Sequence, residues 1–140
     1  MFRVDIIEEA KKEIRELFEA NKQQAGRLVV VLQELSENCT DIYDLVESGY
    51  ECEDFNVDAV WSLQNKELRN VWRLKIFGFS LKGTKFNLSH RVIYAPDYKR
   101  NTIHILGLMD RDLDYEKDKE FIKEIIKRYD RLGLSRLPRA

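Results

Sequence analysis

The strongest constraint on this chain is an alternation over residues 69–79. In Arg69-Asn70-Val71-Trp72-Arg73-Leu74-Lys75-Ile76-Phe77-Gly78-Phe79, one parity carries Trp72, Leu74 and Ile76, and the other carries Arg73, Lys75 and Phe77. Successive side chains of a strand point to opposite faces, so this segment reads as a half-buried strand. Lys82-Gly83-Thr84-Lys85 is a turn, and Leu88 to Ala95 is a second strand closed by Pro96-Asp97. Lys99-Arg100-Asn101 turns again into Thr102 to Met109, a third strand. Consecutive strands with short links predict an antiparallel meander.

The flanks have a different period. Ile7, Ala10, Ile14, Leu17/Phe18, then Ala25, Leu28, Leu32 and Leu35 recur at steps of three and four, as on an amphipathic helix. Asn21-Lys22-Gln23-Gln24-Ala25-Gly26 interrupts that pattern, which predicts two antiparallel helices, about 7–21 and 25–37, rather than one rod. Phe2 to Ile6 reads as a short first strand, although Asp5 with Glu8 could equally cap a helix. Tyr115 to Leu132, with Phe121, Ile122, Ile125, Ile126 and Tyr129 at helical spacing, predicts a last helix with Gly133 as its C-cap and Pro138 in its tail. Between helices and meander, Asp41 to Ser48 reads as a helical turn, Gly49 to Asp54 as a loop and Val57 to Leu63 as a short helix. The expected class is α+β: a short N-terminal strand, two antiparallel helices, a three-stranded antiparallel meander and a C-terminal helix. One domain over 1–140 is expected, with an acidic insertion at about 39–66.

Composition narrows the function classes. Apolar residues make up 44% and charged residues 35% of 140, which describes a globular chain rather than a disordered one. The longest apolar run, Leu28 to Leu32, is far too short to cross a bilayer, and the first residues lack the apolar core of a signal peptide. Cys39 and Cys52 make no disulfide framework and lack the neighbours of a zinc site, so a reducing cytoplasm is the expected setting and no cofactor or metal is expected. The net charge of −1 hides an asymmetry. Residues 1–65 hold 6 Lys and Arg against 15 Asp and Glu, whereas residues 66–111 hold 10 against 3. That basic block reads either as a local anion-binding surface or as the half that neutralises the other on packing.

Three segments, in order, carry more than pattern: Trp72-Arg73-Leu74-Lys75-Ile76, then His90-Arg91-Val92-Ile93-Tyr94-Ala95, then Ile103 to Arg111 with Tyr115 after it. Together they resemble the RelE/ParE-like toxin superfamily of type II toxin–antitoxin systems, RelE/HigB-like members in particular. That family carries a "WRLK", an "RVIYA" and an "ILG…R…Y" on successive strands. The likeness takes in the N-terminal strand and helix pair and covers about two thirds of the chain. Two departures stand out: the stretch 39–66 is longer than the family usually has there, and the gap between Arg111 and Tyr115 differs.

The resemblance implies a RelE-like fold and metal-free cleavage of RNA, in which a 2′-hydroxyl attacks the neighbouring phosphate and leaves a 2′,3′-cyclic phosphate. Such a reaction needs a base, cations for the crowded negative charge and a group to protonate the leaving oxygen. By resemblance, Lys75 is the candidate general base, Arg73 and Arg91 grip the phosphate, Arg111 stabilises or protonates the leaving group and Tyr115 stacks on a base. Each also has a plainer reading. Arg73 and Lys75 serve equally as a solvated sheet face or as ion-pair partners, Arg91 as the partner of an acidic helix residue, and Tyr115 as a packing residue at the start of a helix. His90 and His104 stand in reserve as acid–base groups.

Three function classes remain. One is a toxin cleaving messenger RNA, with or without the ribosome, whose partners are its RNA and a cognate antitoxin that wraps the sheet and helices. Another is a ParE-type toxin that inhibits gyrase by binding. The last is a non-catalytic binding module on the same scaffold, which the long acidic stretch favours.

Overall fold

The computed structural model describes residues 1–138 and has eleven elements in order: β1 (Arg3–Ile6), α1 (Glu8–Ala20), α2 (Lys22–Gln33), a 3-10 turn (Ile42–Val46), β2 (Phe55–Ala59), α3 (Trp61–Asn65), β3 (Trp72–Phe79), β4 (Lys85–Asn87), β5 (His90–Asp97), β6 (Thr102–Asp110) and α4 (Lys119–Arg131). The class is α+β, built on a six-stranded sheet of order β1-β6-β5-β3-β2 with β4 paired to β3. β3, β5 and β6 form the anticipated antiparallel meander, and β1 joins β6 in parallel.

The meander is thus part of a larger sheet than the sequence pattern indicated. The expected helix over Val57 to Leu63 is instead strand β2 followed by the single turn α3. β2 pairs antiparallel with β3 from Phe55↔Ile76 to Ala59↔Trp72, a long-range partnership that local pattern does not reveal. β4 extends the hairpin through Phe77↔Asn87 to Phe79↔Lys85.

Asn21 divides the two helices: its amide donates to Leu17 O at 2.6 Å, and its side chain accepts from Gln24 N at 3.2 Å. That is a C-terminal end and an N-cap in one residue. α2 therefore starts at Lys22 and ends at Gln33, earlier at both ends than the expected 25–37. α1 has no side-chain cap at Ile7, but its first turn carries Glu8 and Glu9, which suit the positive end of the helix dipole. The last helix begins at Lys119 rather than Tyr115, because Asp118 caps it by accepting from Phe121 N at 3.0 Å. Tyr115 lies in the preceding turn, not at a helix start. Gly133, at φ +72°, ends that helix in the left-handed conformation that favours glycine.

Both sheet faces are covered. α1 and α2 pack with Leu74, Ile76, Tyr94, Ile103 and Ile105 on one face; α3 and α4 pack with Ile93, Leu106 and Met109 on the other. Tyr94 is fully buried and satisfies its hydroxyl by donating to Leu45 O at 2.6 Å. β1 covers β6 only as far as Ile6↔Ile105. Beyond it, side chains complete the edge: Arg128 Nη1 donates to Leu106 O at 2.8 Å, and Glu13 Oε1 accepts from Leu108 N at 2.8 Å. Glu13 and Arg128 also pair with each other at 2.8 Å. A Cβ on Gly107 would fall 2.7 Å from Arg128 Nη1 and 2.9 Å from Glu13 Oε1, so a larger residue there would displace that pair. No helix among the described residues is long and apolar enough to cross a membrane.

Candidate functional site

The alternation of β3 sends Trp72 and Leu74 into the core under α1 and α2, which leaves Arg73 and Lys75 on the opposite face. On one side β2 sets Asp58 across from Arg73 and Asn56 across from Lys75. On the other side Arg73 faces Ile93, and Arg91, two residues earlier on β5, shares that face. Just past the end of β6, the amide of Arg111 donates to Ser89 O at 2.9 Å and its Nη1 to Asn87 O at 3.2 Å. Arg91 Nη1 reaches Arg111 O at 3.5 Å. The turn after β6 brings the Tyr115 ring to 5.6 Å from the Arg73 guanidinium. Arg73, Lys75, Arg91, Arg111 and Tyr115 thus converge on one surface beside α4. Phe77, of the same parity, is buried beneath Lys85, whose Nζ is 3.8 Å from the ring centroid.

Crowding of like charge marks this surface. Burial lowers the pKa of Lys75 from the usual lysine value, the nearby charges of Arg73 and Arg91 lower it further, and Asp58 opposes them. Arg91 is lowered in the same way, by burial and then by Arg73, with Arg111 adding to the effect. Asp58 is the exception in sign. Burial would raise its carboxyl, but hydrogen bonds from Arg73 (3.0 Å) and Ser48 (3.0 Å) outweigh burial and hold it below the usual range. Arg73 is largely enclosed, with 15% of its side chain exposed and its Nε buried without a partner. The chemistry of such a surface suits anions. Guanidinium groups offer paired donors to phosphate oxygens, and the lysine is eased toward its neutral, proton-accepting form.

The histidines lie elsewhere. His90 lines a groove with Glu13, Glu16 and Leu17 of α1, on the far face of the sheet, and its Nδ1 is 2.8 Å from Ser89 Oγ. His104 is buried near the start of β6, with Nε2 3.1 Å from Asp97 Oδ2. Cys39 is half-buried, and burial pushes its thiol up to about 12, far from a reactive thiolate.

Asp58, which lies across from Arg73 and pairs with it, is the residue of this face that sequence reasoning missed. Its signal was present, since Phe55, Val57 and Ala59 alternate with Asn56 and Asp58, but the segment is only five residues long and lies in an acidic stretch.

No protein-family model matches the chain, and no curated protein does. Among solved structures, a mutant of the E. coli toxin RelE in the free state is similar at 16% identity and a TM-score of 0.49, over 91% of this chain and 96% of that one. Similarity at that level leaves function to be argued from the side chains.

Proposed function

We propose that this chain is the toxin of a toxin–antitoxin pair and cleaves messenger RNA without a metal, in the cytoplasm. The observation that carries the reading is Lys75 enclosed between Arg73 and Arg91, with its proton affinity lowered by burial and by their charge. In the proposed reaction Lys75 removes the proton of a 2′-hydroxyl, and that oxygen attacks the adjacent phosphorus. The bond to the 5′-oxygen breaks, leaving a 2′,3′-cyclic phosphate on one product. The departing oxygen takes a proton from Arg111 or from water that Arg111 holds. Arg73 and Arg91 neutralise the charge that accumulates on the phosphate, and Tyr115 stacks on a neighbouring base. Within this reading the chain is a single RelE-like domain, and the stretch 39–66 is an insertion that adds β2 to the sheet edge. The antitoxin would present acidic side chains to the same cationic surface.

A second reading, a binding module without catalysis, draws support from the ion pair between Asp58 and Arg73, which occupies one of the phosphate-gripping groups. Induction of the wild-type chain and of Arg73→Ala/Arg91→Ala in bacteria separates the two, with growth and messenger-RNA integrity followed together. Growth arrest with RNA cleavage, both lost in the variant, supports the endonuclease. Arrest with intact RNA points to gyrase inhibition, and soluble protein without arrest points to the binding module.

A further inference from the structure

Asp58 is the carboxylate that β2 sets among these cations, and its surroundings are built rather than incidental. Its Oδ1 accepts from Ser48 Oγ at 3.0 Å and from the amide of Ala59 at 2.9 Å, and its Oδ2 accepts from Arg73 Nη2 at 3.0 Å. Both oxygens are therefore used, and the carboxylate cannot rotate without breaking a bond. Arg73 is in turn held by Asp58 through Nη2 and lies over the Tyr115 ring, 5.6 Å from its centroid. Yet Asp58 takes only one of the two donors on that edge of the guanidinium and leaves Nε buried and unpartnered. Elsewhere in the molecule the same pairing is complete. Asp130 accepts from both Nε (3.1 Å) and Nη2 (2.7 Å) of Arg69.

We propose that Asp58 is a positioning residue for the cationic site: it braces Arg73 in a phosphate-ready orientation and tempers the positive charge around Lys75. This rests on the endonuclease reading. Without the brace, Arg73 would have Lys75 and Arg91 as charged neighbours on its sheet face and would swing toward solvent, since like charges in a partly buried site repel strongly. Three sets of groups face Lys75: Arg73 on its own strand, Arg91 on β5, and Asp58 with the neutral Asn56 on β2. Arg111 and Tyr115 lie beyond Arg91. With Arg73 kept in place, as in Asp58→Asn, removing the one negative charge that faces Lys75 leaves it more readily deprotonated, so the rising limb of cleavage against pH moves to lower pH.

The test compares wild type, Asp58→Ala and Asp58→Asn for messenger-RNA cleavage in a translating bacterial extract. Binding of a 2′-O-methyl RNA oligonucleotide, which cannot be cleaved by this route, is measured alongside. Asp58→Ala should lower the cleavage rate at least about 10-fold, a loss of the size seen for positioning groups, while oligonucleotide affinity stays equal or rises. Asp58→Asn keeps one acceptor for Arg73; it should retain more activity than Asp58→Ala and carry its pH limb to lower pH. It also serves if Asp58→Ala does not fold. Variants that cleave like wild type overturn the proposal, as does an equal loss in both with the pH limb unmoved, which is the behaviour of a structural residue. A wild-type chain that neither cleaves nor binds RNA removes the endonuclease reading itself, a failure visible before any variant is made.

Discussion

Arg69 and Arg128 differ from Arg73 and Arg91 in how fully the chain itself supplies acceptors to their guanidinium groups. Arg69 gives Nε and Nη2 to Asp130 and Nη1 to Glu67 O at 2.7 Å. Arg128 gives Nη1 to Glu13 and Leu106 O, and Nε to Glu124, each at 2.8 Å. The Asp130 hydrogen bonds raise the pKa of Arg69 despite its burial; for Arg128, burial lowers it, but Glu124 and Glu13 more than reverse that. Arg73 by contrast has one carboxylate bond and an orphaned Nε, and Arg91 reaches a carbonyl at 3.5 Å while its pKa is lowered. A cation supplied with acceptors from within the chain ties elements together. On the proposed reading, a cation kept near its own kind and short of acceptors is the one left to meet an anion from outside.

This contrast can be broken by substitution. The largest effect should come from Arg128→Ala, which strands Glu13 and uncovers the edge of β6; unfolding in denaturant should show a loss of about 3–5 kcal/mol. Activity per folded molecule should survive. Arg73→Ala/Arg91→Ala should do the reverse, lowering cleavage by about 10²–10³-fold while leaving the denaturation midpoint near wild type. If the double variant instead unfolds readily, the division between the two sets of arginines is wrong. Gly107→Ala comes next. Its methyl group would displace Arg128 and Glu13, at a cost of about 1–3 kcal/mol, readable as a lower midpoint without any change in the pH profile of cleavage.

Two smaller effects sharpen the comparison through pH. Burial, Arg73 and Arg91 all lower Lys75, so cleavage should rise with pH and level off below the ordinary lysine value of 10.5. Arg91→Gln removes one of those charges and should move the rising limb to higher pH in whatever activity remains. At the exposed end of α4, hydrogen bonds from Arg131 hold Glu9 at about 2, below the ordinary 4.5. A carboxylate with a depressed folded pKa stabilises above its unfolded pKa and loses that contribution as pH falls through its folded value. Glu9→Gln should therefore narrow the difference in stability between neutral pH and about pH 2, by a small amount because the pair is solvated.

Much of the molecule was legible in the residues. The period of two in 72–79 and the period near four in 8–33 identified strand and helices, and parity alone put Arg73 and Lys75 on one face. Tyr115 was misjudged as a helix residue, because apolar spacing does not reveal that Asp118 starts the helix three residues later. β2 was missed for a different reason: five residues of modest strand character become a strand only because β3 offers an open edge.

Local periodicity and parity, which depend on neighbours along the chain, determined which segments are strand or helix and which side chains share a face. Tertiary structure alone decided that Asp58 meets Arg73, that Tyr115 folds back over the same guanidinium, and that His90 and His104 lie away from it. Those outcomes depend on strand order and on where a turn aims the chain. Both are set by burying the two faces of a six-stranded sheet at once, a condition that no short window of sequence contains.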